Sequence, residues 1–302
     1  MKNPLDYIRI HPQRSESILG ISFDDFNRLL KQVRKLHAQE QALAEAQKVR
    51  VNAAGAGRPV EMSLEVTVAL CLFYLRHDPT FGVLGMVFGV SQGQANQAFH
   101  QGLRWLRQVL PASLFEQFGH DPQLWALVQE LLHDEVLLAD STEQARERPS
   151  DYQTQKQYYS GKKKQHTQKT QVLGTSDGQE IVDVIPAVPG PTSDISLLRR
   201  QQQKFDSRQQ FMGDKAYQGA ERTITPHKKP KRRELSDSQQ QENREISAQR
   251  IAIEHLIRRL KVFRILTHRF RLESRVYSTV ILTICGLVRL RLGNLDFTAY
   301  DF

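Results

Sequence analysis

The apolar period of this chain changes once, at Glu135, and that change limits what it can fold into. Before it, apolar residues recur at helical spacing: Phe26, Leu29, Leu30, Val33 and Leu36, then Leu64, Val68, Cys71, Leu72 and Leu75, then Ala95, Phe99, Leu103 and Leu106. Residues 112–133 add a further helical stretch through Leu114, Phe115, Leu124, Leu127 and Leu131. From Glu135 the pattern is different. Glu135-Val-Leu-Leu-Ala-Asp140 is a short continuous apolar run, the signature of a buried strand, and it delivers an acid at its C-terminal end. Gln210-Phe-Met-Gly-Asp214 ends the same way. Between them, Thr167–Thr175 and Gln179–Val188 flank Ser176-Asp-Gly178 as two strands around a turn, and Ser193 opens a helix through Ile195, Leu197 and Leu198. Thr223-Ile-Thr-Pro226 reads as one more strand. The expectation is an all-α region over 1–134, an α/β region over 135–296 and a frayed tail over 297–302.

Charge is distributed unevenly. The net charge is +9, and between Arg222 and Arg275 stand fifteen Lys/Arg against six Asp/Glu, so the whole surplus lies in that one segment. Clustered cations suit a polyanion, and nucleic acid is the usual one. Cys71 and Cys285 both sit in apolar runs, which fits buried reduced thiols and a cytoplasmic setting better than a disulfide or a zinc site. No charged-then-apolar leader opens the chain, and its apolar runs fall short of the ~18 residues of a membrane span. Secretion and membrane insertion are not expected.

Two helical regions carry candidate binding residues. Ser63 caps one helix, which His77-Asp78-Pro79 stops; Thr80 caps a short second one, and after Gly89 Ser91 caps a third that ends near Pro111. This spacing fits a helix-turn-helix. The last helix directs Gln92, Gln94, Asn96, Gln97, His100 and Gln101 outward, and the amides of Gln94 and Gln97 are suited to adenine edges in a major groove. Farther on, Asn52–Pro59 reads as a linker and His227–Arg233 as a charged loop that includes Lys228 and Lys229. Ser236 then opens a long helix. Over Ser247–Lys261 its period sets Arg250, Glu254 and Lys261 within about 40° of one another, beside an apolar side of Ile246, Ile253, Leu256 and Leu260. Val276–Leu292 is a last apolar helix.

The acids give the chemistry. Asp140 and Asp214 close two core strands and Glu254 follows on a helix. Three carboxylates at one sheet edge repel unless protonated or bridged by hard cations such as Mg²⁺ or Mn²⁺. Two such ions activate a water or a 3′-hydroxyl and stabilise the leaving oxygen of a phosphodiester. Asp134, Glu135, Glu143 and Asp183 are assigned to surface or edge positions instead.

The motifs Leu137-Leu-Ala-Asp-Ser-Thr-Glu143, Tyr159-Ser-Gly-Lys-Lys-Lys-Gln-His-Thr167, Gly213-Asp-Lys-Ala-Tyr-Gln-Gly219 and Arg250-x3-Glu254-x6-Lys261 resemble the DDE transposases of bacterial insertion sequences, in the IS-four and IS-five assemblage. The resemblance spans about residues 135 to 295. It implies an RNase H-like mixed sheet flanked by helices, preceded by a DNA-binding helical part, and a catalytic, metal-holding triad of Asp140, Asp214 and Glu254. It also implies two Mg²⁺ ions with Mn²⁺ as substitute, double-stranded DNA as partner at terminal inverted repeats and at the target, and a homo-oligomer in the DNA complex. Arg250, Arg258, Lys261, Lys162, Lys163, Lys164, Lys228 and Lys229 are the candidate phosphate contacts, with Tyr158 and Tyr159 close enough to the lysines to stack. His166 is expected to be structural. Ser247 stands where the family pattern often has Tyr, and Ala216 where Gly is frequent. The residues leave open a DNA-binding protein that does not cut, or a nuclease that cuts without joining.

Overall fold

The computed structural model describes residues 3–47, 62–231, 233–295 and 297. The linker expected at 52–59 and the chain end at 300–302 lie outside them. Two compact units are seen: one of Met1–Leu110 with Phe263–Ile265 and Leu295–Phe302, the other of Pro111–Val262 with Leu266–Asn294. The sequence reading drew its boundary at 134 instead.

The first unit is helical. Its opening, read from the sequence only as a polar start, holds α1 (Pro4–Ile10) and α2 (Ser15–Leu19), which bury Leu5, Ile8 and Leu19. The signal for α1 is local: the Asn3 side chain accepts from the Leu5 and Asp6 N–H groups, and Pro4 occupies the first turn where no N–H is needed. α3 (Phe23–Gln47) buries Phe26, Leu29, Leu30 and Val33. α4 (Leu64–His77), α5 (Phe81–Phe88) and α6 (Gln92–Val109) follow with the expected serine and threonine caps. Two glycines let these three helices close on one another. A Cβ at Gly85 would stand 2.6 Å from the Val90 carbonyl, and one at Gly102 would stand 2.7 Å from Cys71 Cβ on α4.

In the second unit, α7 (Leu114–Phe118) and α8 (Pro122–Leu132) lead into a sheet. Its order follows from five ladders among β1 (Val136–Ala145), β2 (Tyr159–Ser160, after the short α9, Tyr152–Tyr158), β3 (Gln165–Gly174), β4 (Ile181–Pro189), β5 (Gln210–Met212) and β6 (Thr223–Ile224). β3 pairs antiparallel with β1 and β4, β1 pairs in parallel with β5, and β5 with β6, while β2 adds a short ladder at the start of β3. This is the expected mixed, RNase H-like sheet. One face is covered by α7, α8 and α10 (Asp194–Gln202), where Trp125, Leu132 and Leu198 pack on Leu137, Ala139, Leu173 and Phe211. Leu124, Leu127 and Leu131 of α8 are exposed, and the helix packs through Trp125 and Leu132. α11 (Asp237–Leu260) and α12 (Tyr277–Arg291) cover the other face.

α11 is seated by its apolar residues. Ile253, Leu256, Ile257 and Leu260 are buried, and a Cβ at Gly174 of β3 would stand 2.8 Å from Leu256 and 3.1 Å from Ile253. The Arg259 guanidinium donates to the Gly178 carbonyl at 2.7 Å, tying the end of α11 to the β3–β4 turn. A fully buried Arg289 on α12 makes a bidentate pair with Glu180 and donates to the Pro111 carbonyl. Both cysteines are free and buried. No helix among the described residues is long and apolar enough to cross a membrane.

Candidate active site

Asp140 is not at the end of its strand, because β1 runs on to Ala145. What ends there is the pairing on one side. β5 accompanies β1 only through Leu138↔Met212, so from Ala139 onward β1 is laddered to β3 alone. Carrying that parallel register two residues farther sets Asp214 beside Asp140 on the same face, since side chains alternate with a period of two. Gly213 bridges the gap with its N–H on the Ile224 carbonyl. Asp214 then turns the chain: its carboxylate accepts from the Ala216 N–H at 2.7 Å and caps a short 3₁₀ helix, Lys215–Tyr217. Ala216 serves there without a positive φ, so the missing glycine costs nothing.

The third acid comes from α11. Asp140 is half-buried, and burial pushes its carboxyl up to about 6, against the Ser141 N–H bond and Arg250, which lower it. Asp214 and Glu254 raise it further. The three acids therefore share one field, in which Arg250 is the cation that lowers Asp140. Arg250 lies 4.0 Å from Glu254, its side chain 14% exposed, and its Nε is buried without a hydrogen-bond partner. Ser247, in the position of the expected Tyr, is exposed and turns its hydroxyl back onto the Asn243 carbonyl of its own helix. Among the described residues no three acids, imidazoles or thiols are gathered closely enough to grip one ion. The donor set is all oxygen, and Asp140, Asp214 and Glu254 lie close enough to feel one another's charge; both features fit a hard divalent cation.

Of the candidate cations, Lys162, Lys163 and Lys164 are exposed in the turn between β2 and β3, with Lys164 at φ 51. Lys163 lines a cavity with Lys261, the residue that closes α11, along with Gln144, Gln165 and Thr167. Lys162 lines a second cavity, against Glu143, Lys169 and Asp194. Arg258 is exposed in the last turn of α11. Lys228 is exposed, and Lys229 is paired with Glu234 in the loop before α11.

The profile of the family described as "DDE superfamily endonuclease" matches residues 139–289, the span that holds all three acids. The chain belongs to that family. A second profile, "Helix-turn-helix of DDE superfamily endonuclease", matches residues 61–112, which are α4, α5 and α6. A curated relative, the probable transposase for insertion sequence element IS702 of Microchaete diplosiphon, is 28% identical over 241 residues, covering 78% of this chain and 84% of that protein. Two solved Mos1 transposase structures match faintly. The paired-end complex with the left transposon end has 12% identity over 78% of this chain and 88% of that one, with a TM-score of 0.19. The mariner Mos1 paired end complex with Mg has 12% identity over 82% of each chain, with a TM-score of 0.23. Scores of this size fix no residue correspondence.

In the helix-turn-helix of this endonuclease the two glutamine candidates part company. Gln94 is taken up by a capping box: its amide oxygen accepts from the Ser91 N–H while Ser91 caps the Gln94 N–H. The S-x-x-Q signature was in the sequence to be read. Gln97 is exposed on α6, beside His100 one turn on. Tyr158 lies under the Arg146 guanidinium at 4.2 Å, Tyr159 is exposed, and His166 packs edge-on against it.

A polar network on the opposite face of the sheet was not legible. Asp183, assigned to the surface, is buried and held by Lys204 and Gln201, and burial raises its carboxyl. Gln201 continues through Gln171 to the Tyr217 hydroxyl. Nearby, Lys169 is buried against Asp194, and Glu143 accepts from Thr167 at the rim. Asp134 and Glu135 are on the surface as expected, pairing with His133 and Ser176.

Proposed function

We propose that this DDE endonuclease is the transposase of a bacterial insertion sequence: it binds terminal inverted repeats through α4–α6, cuts at them with Asp140, Asp214 and Glu254, and joins the ends to target DNA. The observation that carries the reading is the β1/β5 register, which sets two acids side by side where the parallel ladder stops, with Glu254 and Arg250 facing them from α11. Asp140 and Asp214 each accept a backbone N–H that orients the carboxylate, while Glu254 is exposed with Arg250 4.0 Å away. Together they would hold Mg²⁺, as two ions or with Mn²⁺ in its place, and the metal would supply Lewis acidity for the attacking oxygen and the leaving oxygen.

The cations divide the remaining work. Arg250 sits among the acids, able to meet a phosphate oxygen with its fork as well as Glu254. Lys163 with Lys261, and Lys162 and Lys164 beside them, offer point charges to the backbone on either side of the scissile bond. Arg258, Lys228 and Lys229 extend that basic surface, and Gln97 on α6 reads base edges. The active form is a homo-oligomer on paired ends.

The test is a repeat-end duplex with Mg²⁺. The wild type nicks at the end and, given target DNA, joins the 3′-hydroxyl to it; Asp214→Asn retains the band shift and loses both products. A wild type that cuts and never joins would reduce the function to a nuclease, and unimpaired nicking by Asp214→Asn would overturn the site.

A further inference from the structure

Beyond Leu138 the strand carrying Asp140 has β3 on one side and no strand on the other, yet its first acid has to be held still. The support comes from the opposite face of the sheet. Ser141, whose N–H donates to Asp140 Oδ1 at 2.8 Å, points its hydroxyl the other way and donates to Asp194 Oδ1 at 2.7 Å. The same Asp194 oxygen accepts from Lys169 Nζ at 2.9 Å, and that ammonium, 6% exposed, also donates to the Thr192 carbonyl at 2.6 Å. Asp194 is the first residue of α10. Farther along α10, Arg199 donates to the Gly219 carbonyl and Gln202 to the Glu221 carbonyl and the Thr223 hydroxyl, so the helix also grips the segment that leaves Asp214.

We propose that Asp194 is a positioning residue for the metal-holding acids: α10 acts as a strut, pinning Ser141 behind Asp140 at one end and the chain after Asp214 at the other, and so sets the separation of the two acids. Lys169, itself buried, neutralises the half-buried Asp194 and fixes its carboxylate. The inference rests on the reading of Asp140 and Asp214 as cation ligands and names residues that never touch the cation.

Ser141→Ala removes the pin and leaves the Asp194–Lys169 pair in place. Mn²⁺ is titrated into the metal-free full-length protein by calorimetry, with the thermal midpoint measured in chelator alongside. Ser141→Ala is expected to weaken Mn²⁺ roughly tenfold, the low end of what removing a group that orients metal ligands costs, with the protein still folded and its midpoint lowered by only a few degrees. Asp194→Ala combined with Lys169→Met, which takes out both charges together, weakens Mn²⁺ as much. The triple variant is no worse than either, and Ser141→Thr, which keeps the hydroxyl, binds like the wild type. Wild-type affinity in Ser141→Ala, or additive losses in the triple variant, overturns the strut. Asp214→Asn separates the two failures. If it binds Mn²⁺ as the wild type does, the acids are not the site and the strut falls with them; if it loses Mn²⁺ while Ser141→Ala does not, only the strut fails.

Discussion

Replacing Asp140 by Asn should make the metal-free protein more stable while leaving it unable to cut. The burial that raises the Asp140 carboxyl from 3.8 to about 6 disfavours the charged form in the folded state only. Over that window the folded protein binds more protons than the unfolded chain, so stability falls as pH rises from the unfolded value through the folded one. A shift of about two units corresponds to about 3 kcal/mol lost once the carboxylate is ionised. Asn keeps the size and the acceptor for the Ser141 N–H and has no charge to bury. Because the amide is also desolvated, the gain should be about 1–3 kcal/mol near pH 8, or roughly 2–10 °C in midpoint for a unit of this size. Thermal unfolding in chelator, compared between wild type and Asp140→Asn across the pH range, reads it. The gap should be small near pH 4, widen to about pH 7 and stay flat above. A variant destabilised at pH 8, or a gap that does not change with pH, would refute the reasoning.

The other expectations are briefer. Removing the Gln97 amide should weaken the repeat-end complex by about 1–3 kcal/mol and leave binding to unrelated duplex unchanged, whereas Gln94→Ala should instead cost about 1 kcal/mol of stability through the lost capping box; competition binding and unfolding curves separate them. Asp183→Ala, which strands Lys204, should destabilise the second unit by about 3–5 kcal/mol in denaturant unfolding. The Cys71 thiol, its pKa raised by burial, should react with a thiol reagent only as the protein unfolds. Affinity for the duplex should fall linearly in log–log against salt, and Lys261→Ala should make the slope shallower by about one.

What the sequence disclosed, and what it hid, follow from how each residue type is used. The run before Asp140 and the run before Asp214 were legible because strands buried on both faces leave continuous apolar text. The rest of β1, Ser141–Ala145, was not, since it is polar in sequence, with Glu143, Gln144 and Ala145 lining cavities, and looks like loop. Ser236, Ser63 and Ser91 announced their helices because capping is local chemistry. α1 and α2 escaped because five to seven residues make fewer than two turns, too few for an apolar period to repeat. Lys169, Asp183 and Asp194 were unreadable for a different reason. A charged residue is taken for a surface residue unless its partner is known, and these pairs join residues 25 and 21 apart, one on a strand and the other on α10 or just after it. Glu254 needed the other two acids to be noticed; its own helix shows only an exposed glutamate in a pair with Arg250.

The central claim is that Asp140, Asp214 and Glu254 form one catalytic site on a DNA-cutting enzyme. The most direct measurement is strand-resolved cleavage of a repeat-end duplex in Mg²⁺ by the wild type, Asp140→Asn, Asp214→Asn and Glu254→Gln at equal band-shift occupancy. A 3′-hydroxyl is expected at the element end with the wild type and none with any of the three variants, each still bound to the DNA. Cleavage at the wild-type rate by any one of them would contradict it.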